Sequence, residues 1–158
     1  MSIHAKALIP DDGSTTFLPE DVRHTEDILN HPDTQRLINF DEPVAALYIS
    51  FLHQIPDRDD PGGLVRRLMD RLALGSFLAI SHLVSPDPEL RARLTDLMLN
   101  ATAGNWGRVR TRPEVDRFFD GLTVITPGLA EITTWRPDDT ATEEQTFDWI
   151  EYGGVARK

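Results

Sequence analysis

The chain has 158 residues, 40% of them apolar and 27% charged, which is ordinary for a single folded domain with its own core. Sixteen basic residues against 26 acidic ones leave a formal charge of -10. Such a surface repels nucleic-acid phosphates and anionic lipid, and argues against either as a direct partner. The absence of cysteine excludes disulfides, thiolate zinc sites and a cysteine nucleophile. Residues 1–20 lack a basic start followed by an apolar run, and no stretch approaches the roughly 18–20 apolar residues of a membrane span. A cytoplasmic protein is therefore expected.

Taken in order, Thr15–Leu18 is a short β-prone run. A helix is expected from Thr25, where Glu26 and Asp27 suit the positive end of the helix dipole. His31-Pro32 interrupts it, and a second short helix runs to about Asn39. Residues 44–50 are nearly continuously apolar and too few for a typical helix, which predicts a strand buried on both faces. Leu64, Val65, Leu68, Met69 and Leu72 recur at helical spacing up to Gly75, and residues 76–83 form a second apolar run. Strand, helix, strand predicts a parallel pair with a right-handed crossover.

Asp87-Pro88 supplies a cap and a first-turn proline for a helix using Leu90, Leu94, Leu97 and Met98. A loop follows from Ala101 to Val109, flanking Trp106 with two glycines. Thr111 and Glu114 have the spacing of a capping box, ahead of Val115, Phe118 and Phe119. Leu122–Thr126 and Leu129–Trp135 read as strands around Pro127-Gly128. An acidic loop, Arg136 to Glu144, leads to a last strand near Phe147–Val155. Three β-prone segments after the last helix predict an antiparallel edge on a parallel sheet, so the class is α/β with helices on both faces.

Ligands of open α/β sheets gather at the carboxyl ends of the strands. Phe51 and His53, following the 44–50 strand, are therefore the best-placed residues for chemistry, and Ser81 and His82 reach the same rim. His53 suits a base or a substrate-orienting group, although a lone loop histidine is more often structural. Asp57, Asp59 and Asp60 have the look of a carboxylate cluster, yet prolines on either side favour a solvated turn. Gly62-Gly63 lacks the Gly-Lys-Ser/Thr that would make a phosphate loop, and the histidines lack metal-ligand spacing. Trp106 and Trp135 suit aromatic packing or a planar ligand. Gly153-Gly154 suggests a bend or bulge in the last strand.

Several short pieces carry a resemblance in this order and spacing. They are Ala5-Lys6-Ala7-Leu8, Glu20-Asp21-Val22-Arg23 with His31-Pro32, Pro43-Val44-Ala45, and Leu52-His53-Gln54-Ile55-Pro56-Asp57. They continue with Gly75-Ser76-Phe77-Leu78, Ser81-His82-Leu83, Phe118-Phe119-Asp120-Gly121-Leu122, Trp135-Arg136-Pro137 and Tyr152-Gly153-Gly154-Val155-Ala156. Together they resemble the carboxyl-terminal part of Rossmann-type S-adenosylmethionine-dependent methyltransferases. The resemblance implies S-adenosylmethionine as cofactor and a small-molecule methyl acceptor. It implies that Asp21 accepts a hydrogen bond from the adenine amine, with Val22 packed on the ring and Phe51 and His53 lining the cofactor cleft.

The resemblance also marks a difference. That family carries a glycine-rich turn after its first strand and a ribose-binding acid at the end of its second. Asp11-Asp12-Gly13 follows no expected strand and does not supply the turn. Residues 1–158 are thus expected to form one truncated methyltransferase-like domain without the first two strands. In that fold the two strands lie between Thr15–Leu18 and the strand at 44–50. Their absence predicts a loosely attached amino-terminal segment or self-association through the exposed sheet. A non-catalytic interaction module is the rival reading.

Overall fold

The computed structural model describes residues 13–136 and 150–158. Two short helices, α1 (Thr25–Asn30) and α2 (Pro32–Leu37), meet at His31, which closes the first and caps the second: its Nδ1 accepts from the Asp33 amide at 3.1 Å. Pro32 then occupies the first turn of α2, where a missing N–H costs nothing. The second helix ends at Leu37, two residues before the expected Asn39.

Strand β1 (Ala45–Tyr48), helix α3 (Pro61–Arg71) and strand β2 (Phe77–Val84) make the expected β-α-β unit, with β1 and β2 parallel. Asp60 starts α3 by accepting from the Gly63 amide at 2.9 Å. Glycine at 63 leaves room for this cap, since a Cβ would stand 1.8 Å from the Asp60 carboxylate and displace it. Leu64, Val65 and Met69 bury one face of the helix, while its arginines and Asp70 keep to the other. The far end of α3 is held by the last residue: Lys158 Nζ donates to the Met69 and Leu72 carbonyls, both at 2.7 Å.

Helix α4 (Pro88–Ala101) is capped as expected, Asp87 accepting from the Glu89 and Leu90 amides at 2.8 and 3.3 Å. Its apolar stripe is only half covered, and Leu97 is 61% exposed. Helix α5 (Arg112–Asp116) follows, with Glu114 reaching back to the Thr111 amide at 2.8 Å. Strands β3 (Thr123–Val124), β4 (Ala130–Glu131) and β5 (Ile150–Arg157) complete the sheet.

The sheet order is β1-β2-β5-β3, with β4 also on β5. Strand β5 runs antiparallel to β2, β3 and β4, so it alone opposes the other four. The class is α/β, and the antiparallel component falls in the carboxyl-terminal third. The expected strand at Leu129–Trp135 is shorter, because residues 132–134 turn into a 3-10 helix. Residues 147–149 of the expected last strand, the acidic loop from 137 and the Ala5–Leu8 motif lie outside the described residues.

Three expectations are corrected. Thr15–Leu18 belongs to no strand; a β-prone run needs a neighbour for its amides, and none of the described strands pairs with it. Strand β1 is not buried on both faces. Among the described strands it pairs with β2 alone, and only Ala46 and Tyr48 enter the core, while Leu47 and Ile49 are 66% and 59% exposed. Gly153-Gly154 makes no bulge, since the β2–β5 register is unbroken. The glycines serve close approach instead: a Cβ at Gly153 would stand 1.8 Å from the Ile80 carbonyl oxygen. The core, with Leu52, Leu78, Val84 and Val115 fully buried, fills the face of the sheet that Ala46 and Tyr48 share.

Candidate functional site

The carboxyl ends of β1 and β2 form one rim. Ser50 leaves β1 with φ of 52°, a left-handed conformation unusual for a residue with a Cβ. It is held there by its amide, which donates to both the carbonyl oxygen and the hydroxyl of Ser81, at 3.1 and 2.9 Å. Its own hydroxyl donates to Glu151 Oε1 at 2.7 Å. The chain then turns through a 3-10 helix, Leu52–Gln54, which carries His53 beneath the rim.

Phe51 packs on Tyr48, ring centroids 6.3 Å apart. His53 is buried: its Nδ1 accepts from the Leu83 amide at 3.2 Å, and its ring lies 5.2 Å from both His82 and Trp106. Burial lowers its pKa, so the imidazole stays neutral in neutral solution. Phe51 thus shares the rim with Ser81, while His53 and His82 are bound into its base.

Behind the rim lies a chain of ionic contacts. His82 is inaccessible to solvent, its Nδ1 donating to the Leu83 carbonyl at 2.8 Å and its Nε2 accepting from Arg110 at 2.9 Å. Desolvation pushes its pKa down to about 3. Arg110, 3% exposed, also donates to the Leu52 carbonyl at 3.3 Å and to Asp57, and lies over the Phe118 ring. Arg108 joins Asp57 Oδ2 at 2.6 Å to Glu114 Oε1 at 2.7 Å. The hydrogen bond from Arg108 holds the Glu114 carboxyl down to about 2. Burial raises the Asp57 pKa, but the two arginines outweigh it and the net shift is downward.

The turn at residues 57–60 is therefore neither a cation cluster nor simply solvated. Asp57 meets Arg108 and Arg110, Asp59 meets Arg23 at 3.2 Å, and Asp60 caps α3. No group of three acidic or histidine residues among the described ones is arranged to hold a metal. Arg108 and Arg110 escaped the sequence reading. Their signal was alternation, charged residues on either side of the buried Val109, which marks an extended segment; Arg110 forms a lone parallel bridge to Val84.

Asp21 lies on the other side of β1, bound to Arg23 by the side chain and by the Arg23 amide at 3.0 Å. The Arg23 side-chain hydrogen bond lowers its pKa to about 2. Val22 lines an apolar hollow of about 170 Å³ with Leu29, Leu47, Tyr48 and Leu68. Asp21 and Val22 therefore flank the open edge of β1, while Phe51 and His53 stand at its carboxyl end. A phosphate- or ribose-type glycine cradle is not found among the described residues. The glycines that permit close approach, such as Gly63, Gly107 and Gly153, approach the protein's own atoms.

The described residues form an open α/β sheet with β1 at one edge. The family model of S-adenosyl methyltransferases matches residues 1–158, and the chain belongs to that family. Among solved structures it is similar to a DUF574 family protein from Streptomyces avermitilis, 32% identical with a TM-score of 0.78, over 88% of this chain and 53% of that one. It is also similar to a candidate methyltransferase from Thermobifida fusca, 30% identical with a TM-score of 0.84, over 99% of this chain and 58% of that one. An O-methyltransferase family protein from Burkholderia thailandensis, 13% identical at a TM-score of 0.52 over 99% of this chain and 39% of that one, shares the fold. The chain thus spans little more than half the length of its two more similar neighbours. No curated protein matches it. No helix among the described residues is long and apolar enough to cross a membrane.

Proposed function

We propose that this chain carries the acceptor-side part of an S-adenosylmethionine-dependent methyltransferase acting on a small molecule, as one domain that lacks the cofactor cradle. In this reading Asp21 and Val22 meet the adenine, and Phe51 and His53 line the cleft at the end of β1. The observation that carries the reading is the parallel β1–β2 rim in a chain of this family, with the Asp21-Val22 pair on the open side of β1. S-adenosylmethionine, when bound, supplies an electrophilic methyl group. The protein's task is then chiefly alignment of acceptor and methyl, so the weakened basicity of the buried His53 is no obstacle. Calorimetric titration of the chain with S-adenosylmethionine tests this: the chain by itself is expected to give no binding heat, and micromolar affinity would overturn the reading that these residues hold only part of the cofactor site.

A second reading is favoured by Leu47 and Ile49, exposed on an edge strand whose outer backbone groups meet no described strand. Open apolar edges invite strand addition. Here the chain is an interaction module that pairs through β1, with a second copy or with a separate polypeptide. Light scattering is the test, with association expected and a well-folded monomer counting against it. A soluble cytoplasmic setting fits both readings.

A further inference from the structure

We propose that Glu151 and Ser50 form a binding site for a protonated amine on a ligand with a small apolar body; this rests on the methyl-transfer reading and gives its acceptor a chemical class. Glu151 is the second residue of β5, opposite Leu83 at the carboxyl end of β2. One of its carboxylate oxygens is satisfied by the Ser50 hydroxyl at 2.7 Å. The other, Oε2, is buried and has no hydrogen-bond partner among the described residues. No arginine, lysine or histidine among them forms an ion pair with this carboxylate either, whereas Asp21, Asp57, Asp59, Asp60 and Glu114 each have an arginine.

A buried carboxylate oxygen without a donor is costly, and a cation that donates a hydrogen bond relieves both the missing bond and the uncompensated charge. The surrounding geometry is specialised. Ser50 is held at a φ of 52° by two bonds to Ser81, and backbone strain of this kind collects at binding sites. Ser50 is itself exposed and Glu151 is half-buried.

The flanking residues supply the apolar part. Ile49 and Ser81, which adjoin and hold Ser50, also line a hollow of about 220 Å³ with Ala79, Ile132, Trp135 and Val155. That is below the volume of a drug-sized pocket and suits a single ring. The Trp135 indole is anchored by its Nε1–H on the Gly128 carbonyl at 2.9 Å, so its face is a fixed wall. Neither Glu151 nor Ser50 lines the hollow itself, so the ligand would span from the carboxylate past Ile49 and Ser81 to place its ring there.

The probe is benzylammonium, followed through the amide signals of the 158-residue chain by NMR, with benzyl alcohol as the uncharged counterpart. Saturable shifts are expected at Ser50, Ser81 and Glu151 with benzylammonium, and binding at least about tenfold weaker with benzyl alcohol or in Glu151→Gln. Ser50→Ala, which removes only the hydroxyl, should weaken binding less than Glu151→Gln. Equal binding of amine and alcohol, unchanged binding in Glu151→Gln, or no saturable shift in the folded wild-type chain would each overturn the proposal. The titration contains no S-adenosylmethionine, so its outcome is independent of whether the cofactor reading holds.

Discussion

Replacing Arg110 by methionine removes the group that joins the rim to the loop before α5. The two side chains have similar length, so the perturbation is the loss of donors and charge rather than of volume. His82 Nε2, inaccessible to solvent, loses its 2.9 Å donor, which costs about 1–3 kcal/mol for a buried unsatisfied acceptor. The Leu52 carbonyl loses a longer contact of 3.3 Å, at the low end of the same range, about 1 kcal/mol. The cation above Phe118, 5.6 Å from the ring centre, contributes about 0.5–1 kcal/mol. Asp57 is half exposed and can be rehydrated, so its released charge adds little. Against these stands the relief of no longer burying a guanidinium, which offsets about 1 kcal/mol or more. The net expectation is a loss of about 2–4 kcal/mol out of the roughly 5–15 typical of a domain. With a urea m-value of about 2 kcal/mol per molar, the unfolding midpoint should fall by about 1–2 M at unchanged slope. A midpoint within about 0.3 M of wild type would refute the claim that Arg110 braces the rim.

Other consequences are separable from that one. Burial holds His82 neutral down to about 3, below the ordinary value near 6.5 of an unfolded histidine. Between those values the unfolded chain binds a proton that the folded chain refuses, so stability is full above about pH 6.5 and falls as the pH drops toward about 3. His82→Gln should flatten this part of the pH profile in urea titrations, and an unchanged profile would contradict the assignment. Gly153→Ala should destabilise by about 1–3 kcal/mol or more, because its Cβ meets the Ile80 carbonyl; a neutral thermal shift would argue against the close approach. Lys158→Ala should cost about 1 kcal/mol through the freed carbonyls at the end of α3, measured as earlier amide exchange at residues 69–72. Leu47→Lys should abolish any concentration-dependent association by placing a charge on the open edge, read by sedimentation.

The β-α-β unit, the caps at Asp87 and Thr111 and the antiparallel ending were legible because each has a local signature: apolar period, capping residue, proline position. What the local pattern hid was which side of a strand has a neighbour. Residues 44–50 read as buried on both faces because the apolar run suits a strand in the middle of a sheet, yet β1 is an edge and leaves Leu47 and Ile49 outside. Thr15–Leu18 misled in the same way, since β-propensity expresses itself only beside a partner. At the site, position in the chain drew attention to Phe51 and His53, which follow the carboxyl end of β1. The ionic chain through Arg110 joins residues 57, 82, 108, 110 and 114, and nothing in their spacing announces it. Glu151 was hidden for a different reason: a glutamate in a strand reads as solvated until its unpaired, buried oxygen is located in three dimensions.

The open side of β1 is where the account is most exposed to test. The measurement is calorimetric titration of S-adenosylmethionine into this chain co-purified with the part of the Thermobifida fusca neighbour that lies outside the match. The account predicts no binding heat for this chain by itself, binding once the supplied segment has docked along β1, and loss of that binding in Asp21→Ala. Binding by the chain without the segment, or a stable complex that takes up no cofactor, would contradict it.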